Sequence, residues 1–207
     1  MNLRPIVNTE DIDLLISKDS QIDSIFKKYG PPPSWQRVAG FESLSKIILG
    51  QQVSLESAEA HFKKLKNHIG KFTPENILKL SDDELRNNFI SRQKSIYLRE
   101  LSKSVLSKEI DFEALKEMNE IEIKEKLTSI KGIGNWTAEI FMLFCLQSKD
   151  IFPIGDIAVI NAVKELYNVT ERNEIIRISE SWIPHRSLAT YFMWHYYLNK
   201  RGRTANF

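Results

Sequence analysis

The chain has 207 residues and a mass of 24.1 kDa, and its 42% hydrophobic and 27% charged content suits one or two packed globular cores, which excludes a disordered or fibrous chain. Net charge is only +2, from 29 Lys and Arg against 27 Asp and Glu, so the total does not advertise a polyanion partner. One cysteine, Cys145, excludes an intrachain disulfide and any four-cysteine cluster, and a reducing, intracellular setting fits best.

Met1-Asn2-Leu3-Arg4-Pro5 lacks an apolar signal core, so no export signal is expected. From Asp11 to Tyr29 apolar residues recur at helical steps, and Asp19 or Ser20 can cap a second segment before Gly30-Pro31-Pro32-Pro33 stops it. Helices are predicted from Phe41 to Leu49 and from about Ser54 to Ile69. Thr73-Pro74-Glu75 and the capping box at Ser81-Asp82-Asp83-Glu84 mark further starts. Two more helices follow, at about 91–107 and 120–130. The run Ile140 to Leu146 falls far short of the roughly 18 residues that span a bilayer, so no membrane helix is expected. Alternating strand patterns are almost absent, and the chain reads as all-α.

Charge is unevenly distributed. Residues 109–125 hold seven acids against Lys116 and Lys124, whereas 181–207 hold Arg186, Lys200, Arg201 and Arg203 with no acid. That asymmetry suits one surface facing a polyanion, or a solvated face beside a basic tail.

Residues 127–140 are the most informative. One amphipathic helix ends in Gly132-Ile133-Gly134 and another starts at once with Asn135-Trp136-Thr137. Two glycines around one aliphatic residue permit a left-handed helix exit and close backbone approach, and the amides of Gly132, Gly134 and Asn135 would point outward where phosphate binds well. An ordinary helix-turn-helix connection fits these residues too. The next segment, Phe152-Pro153-Ile154-Gly155-Asp156-Ile157, delivers one aspartate at the start of an apolar helix.

Hairpin, helix, then a Gly/Pro loop ending in aspartate is the order found in the helix-hairpin-helix glycosylases of base-excision DNA repair, which this sequence resembles. Three further segments resemble the alkylated-base branch typified by DNA-3-methyladenine glycosylase II: Phe41 to Ser54 with Gln51-Gln52, Ile90 to Leu98, and Trp182 to Trp194. Where the family usually has Gly-Leu, this chain has Phe89-Ile90.

The resemblance implies an all-α fold of two helical subdomains, about 38–149 and 1–37 plus 150–207, with an active-site cleft between them. It implies Asp156 as the catalytic carboxylate, with helix capping as that residue's plainer role. Gln51 and Gln52 would fill the space a flipped base vacates, and Gly132, Gly134 and Asn135 would contact DNA. Trp136 and Trp194 match aromatic base-pocket positions, while Ile140 and Ile157 stand where the branch can place tyrosines. Bifunctional relatives carry a lysine nucleophile two residues beyond the second glycine; Trp136 occupies that position, so a monofunctional enzyme is implied, and Lys131 reads as a backbone or phosphate contact. No catalytic cofactor is implied, only a structural cation on the carbonyls of Thr128, Ile130 and Ile133. The expected partner is double-stranded DNA with alkylated purines, acted on by a monomer, cytoplasmic or at the nucleoid in a prokaryote. A glycosylase for deaminated or oxidised bases and a non-catalytic binder of damaged DNA are the alternatives.

Overall fold

The computed structural model describes residues 5–203; Met1 to Arg4, read above for an export signal, and Thr204 to Phe207 of the basic stretch lie outside the described residues. Among the described residues every regular element is helical, as the periodicity requires. In chain order they are α1 (Thr9–Lys18), α2 (Ser20–Tyr29), α3 (Phe41–Leu49), α4 (Leu55–Ile69), α5 (Pro74–Lys79), α6 (Asp82–Asn87) and α7 (Arg92–Leu106). There follow α8 (Phe112–Leu115), α9 (Glu120–Thr128), α10 (Asn135–Phe141), a π-helical segment (Met142–Leu146), α11 (Ile157–Tyr167), α12 (Arg172–Ser181) and α13 (Arg186–Lys200). None is long and apolar enough to cross a membrane.

Local chemistry sets the helix ends. Side chains of Asp19, Ser54, Thr73, Ser81, Ser91 and Asn119 accept bonds from first-turn amides of α2, α4, α5, α6, α7 and α9. Each such cap contributes about 1 kcal/mol. The boxes at Ser81 and Asn119 are completed by Glu84 and Glu122 reaching back to the cap amide.

The chain divides into two compact units, one of the residues up to Gln36 with those from Met142 onward, the other Arg37–Phe141. In the second, α3, α5 and α6 pack on α7, and α10 lies against both α3 and α9. Leu44 and Ile48 of α3 and Leu98 and Leu101 of α7 are completely buried, each contributing about 1.5–3 kcal/mol by leaving water.

In the first unit α13 packs against α1, α2 and α11, and α12 packs on α11. Asp19 ties several of these together: Oδ1 caps α2, while Oδ2 accepts from the Tyr167 hydroxyl at 2.7 Å and the Trp182 indole N–H at 2.8 Å. Burial, reinforced by that carboxylate, raises the Tyr167 pKa far out of reach.

Much of the carboxy-terminal basic charge is consumed inside this unit. Arg186 makes a two-pronged pair with Asp150, both bonds 2.8 Å, Lys200 pairs with Glu165, and Arg201 stacks 3.6 Å above the Tyr197 ring. Arg186 is half-buried, whereas Lys200, Arg201 and Arg203 are exposed, the first two against partners of their own unit.

His195 of α13 meets the Tyr29 carbonyl through Nε2 at 3.2 Å and Asn199 Nδ2 through Nδ1 at 3.1 Å, a pattern that suits the neutral ring. Burial holds its pKa below the ordinary 6.5, although the Tyr29 carbonyl opposes the shift. The unfolded chain thus takes up the proton first as pH falls through about 6.5. We expect thermal stability to drop between pH 7.5 and 5.5, and His195→Gln to flatten that slope in melting curves. An unchanged slope in the variant would assign the pH dependence elsewhere.

Candidate active site

The loop before α11 is fastened to the start of α13 at successive residues. The Lys149 carbonyl accepts from the Ser187 amide at 3.1 Å, the Ile151 amide donates to Ser187 Oγ at 2.9 Å, and the Ile151 carbonyl accepts from Thr190 Oγ1 at 3.3 Å. The Asp150–Arg186 pair lies between them. The Asp156 amide then turns back onto the Pro153 carbonyl at 2.8 Å, which aims the Asp156 side chain across the first turn of α11.

Asp156 is 9% exposed and its Oδ1 is held from two directions. The Val159 amide donates to it at 3.0 Å, making Asp156 the N-cap of α11, and Trp194 Nε1 of α13 donates at 3.1 Å. Capping and orientation are thus one arrangement, since the helix start that favours a negative charge also fixes the carboxylate.

Trp194 is only 4% exposed and lies among Trp35, Phe144 and Tyr191, with ring centroids at 6.0, 5.3 and 5.8 Å. Its indole packs in this aromatic block and its N–H orients Asp156. Periodicity picks out neither Trp35 nor Phe144. Trp35 follows the Pro-rich stop, outside any helix, and Phe144 belongs to the π-helical segment. That segment is anchored by Gln147, whose Nε2 donates to the Leu143 carbonyl at 2.9 Å and whose Oε1 accepts from the Ile6 amide at 3.1 Å. Ile157, next to Asp156, is 76% exposed, an apolar side chain left open beside the carboxylate.

The Arg37–Phe141 unit carries the hairpin. Gly132 has φ +98°, and a Cβ there would lie 2.1 Å from Tyr97 Cγ, so both backbone twist and close packing demand glycine. Gly134 differs: a Cβ there would meet nothing within 4 Å, and its carbonyl accepts the first bond of α10 from Ala138 at 3.0 Å. Ile133 between them is buried as the expected plug. Gly134 and Asn135 are exposed, Trp136 is half-buried, and Ile140 is buried at 4% exposure. Lys124 and Glu139 join α9 to α10 at 2.7 Å.

Gln51 and Gln52 have different environments. Gln51 Nε2 donates to the Gly132 carbonyl at 2.9 Å and contacts Thr137 Oγ1 at 2.8 Å, bracing the turn after α3 against the hairpin. Gln52 is exposed with φ +58°, at the tip of that turn. From α7, Lys94 Nζ donates to the Leu49 carbonyl at 2.6 Å and its burial lowers its pKa.

No group of three or more His, Cys, Asp or Glu residues gathers as metal ligands among the described residues. The Ile130 carbonyl accepts from the Ile133 amide at 3.0 Å, which curls the chain after α9. Carbonyls at the carboxyl end of α9 carry partial negative charge, the kind of donor a hard cation takes.

A family model described as HhH-GPD superfamily base excision DNA repair protein matches residues 45–185, covering both the hairpin and Asp156. The chain belongs to the HhH-GPD superfamily. Within it, the chain is similar to the DNA-3-methyladenine glycosylase of Bacillus subtilis, 31% identical over 74% of this chain and 56% of that protein. It is also 28% identical to DNA-3-methyladenine glycosylase 1 of Schizosaccharomyces pombe, over 80% of this chain and 76% of that one. The chain thus spans little more than half of the Bacillus subtilis relative. Among solved structures, the DNA-3-methyladenine glycosidase of Bacillus halodurans superposes with a TM-score of 0.79 at 28% identity, covering 94% of this chain and 92% of that one. The Schizosaccharomyces pombe 3-methyladenine DNA glycosylase in complex with abasic DNA superposes at 0.82 with 27% identity, covering 90% and 95%.

Proposed function

We propose that this HhH-GPD protein is a monofunctional DNA glycosylase that hydrolyses the N-glycosidic bond of alkylated purines such as 3-methyladenine and leaves an abasic site. The observation that carries the reading is the Asp156 carboxylate, which accepts from the Val159 amide and from Trp194 Nε1 at the start of α11. Relatives named for 3-methyladenine excision, and one solved with abasic DNA, support it.

Breaking the bond leaves a sugar with oxocarbenium character, and a fixed anion beside it stabilises that charge where it develops. Asp156 supplies the anion and orients the attacking water. An alkylated purine is already cationic while attached and departs as a neutral base once it takes the bond electrons, so no strong general acid is needed. Two residues beyond Gly134 stands Trp136, which has no amine to attack the sugar, so water is the nucleophile and no strand cleavage follows. The indole of Trp136 and the open side chain of Ile157 are the proposed base contacts, with Trp194 acting through Asp156.

Double-stranded DNA is the proposed partner of a monomeric, intracellular enzyme. Its backbone would meet the exposed Gly134 and Asn135, and Gln52 would enter the stack vacated by a flipped base. A structural cation on the carbonyls of Thr128, Ile130 and Ile133 would hold the hairpin curled. It would take no part in bond cleavage.

The test is incubation of the purified protein with methylated duplex DNA. Free methylated purine should appear by chromatography, with strand breaks only after alkali. Release from deaminated or oxidised DNA alone would move the substrate class, and direct strand cleavage would overturn water as the nucleophile.

A further inference from the structure

Phe89 has a conformation and an exposure that folding does not require. It follows α6, whose end closes with two bonds: the Phe89 amide to the Arg86 carbonyl at 2.9 Å and the Ile90 amide to the Leu85 carbonyl at 3.0 Å. This closure puts the residue after the Asn88 cap in the left-handed region, and Phe89 has φ +64°. Glycine or asparagine normally fills that place, because a bulky side chain there is strained. Burial of the ring does not compensate, since Phe89 is 61% exposed, whereas Ile90 beside it is buried at 3%.

The ring's surroundings are basic. Lys64 Nζ of α4 lies 3.7 Å from its centroid, and the His61 ring, one turn earlier, lies at 5.7 Å. Three residues on, α7 starts with exposed Arg92 and Gln93 and has no acid in its first turn. The same helix end touches both elements assigned to DNA: Lys94 holds the Leu49 carbonyl, three residues before Gln52, and Tyr97 packs beneath Gly132.

Resting on the DNA-binding reading above, we infer that Phe89 is a DNA-contact residue whose ring stacks on a base or sugar of the bound duplex while Lys64 and Arg92 face the flanking phosphates. An aromatic face flanked by cations is complementary to a nucleotide, which presents a stacking surface joined to an anion. The strain at Phe89 is then retained for binding, the circumstance in which unfavourable backbone geometry persists.

The proposal separates stability from affinity. Phe89→Gly should leave the melting temperature unchanged or raise it, and should weaken binding to a duplex containing a tetrahydrofuran abasic analogue by about tenfold in fluorescence anisotropy. Phe89→Trp should keep wild-type affinity. Binding by Phe89→Gly within twofold of wild type, or a lower melting temperature in that variant, would overturn the proposal while leaving the glycosylase reading intact. Failure of the wild type to bind the duplex at all would overturn both.

Discussion

Asp156→Asn should fold normally and lose about 10²- to 10³-fold in the rate of base release, the range typical for removing one preorganised electrostatic contact to a developing charge. The substitution is selective because asparagine caps helices as well as aspartate does, and its carbonyl oxygen can still accept from Val159 and from Trp194 Nε1. Only the negative charge is lost. Single-turnover release of methylated purine, measured beside a melting curve, checks this. Equal release by the variant and the wild type would remove Asp156 from catalysis and leave it a helix cap. Trp194→Phe provides a graded comparison: it keeps the apolar packing among Trp35, Phe144 and Tyr191 and removes one donor, so a smaller loss of release is expected.

The second large effect concerns the hairpin glycines, which the sequence presents as a pair and the structure separates. Gly132→Ala should destabilise the protein by about 3 kcal/mol or more, because strain from positive φ adds to a clash with the Tyr97 ring. Urea unfolding measures it, and adding Tyr97→Ala should recover only part of the loss, because the Cβ at position 97, 2.7 Å from the added methyl, remains. Gly134→Ala should change stability by no more than about 0.5 kcal/mol, since its Cβ would enter open space. Its expected effect is weaker DNA binding, where a methyl group would hold off an approaching phosphate. Comparable destabilisation by both substitutions would show that the two glycines share one structural role.

Much of the chain's organisation was legible from residue order. Helical periodicity and caps such as Ser81 and Ser91 describe local energetics that act within one turn, so they survive folding unchanged. Gly132-Ile133-Gly134 was equally visible as a hairpin, and the aspartate after Pro153 and Gly155 as a rigid carboxylate. Less was legible where local signals are weak. The four-residue α8 is too short for periodicity, and the end of α10 passes into a π-helical segment that an unbroken apolar run cannot announce.

Partner choice was hidden for a different reason. Gln51 and Gln52 are neighbours with identical chemistry, yet one braces Gly132 from 81 residues away and the other stands in solvent. Trp194 reads as a pocket aromatic, and its indole N–H holds Asp156. Arg186 falls in a stretch of sequence without acids, and Asp150, 36 residues earlier, pairs with it.

By itself the sequence determined the all-α class, the near-neutral charge, the hairpin with its aspartate, and through these the superfamily. Tertiary structure alone decided which glycine is demanded by packing, which charges are spent on internal pairs, and which strained side chains face solvent. These depend on contacts between residues far apart in the chain, and a hydrogen bond or clash at 3 Å leaves no trace in local residue order.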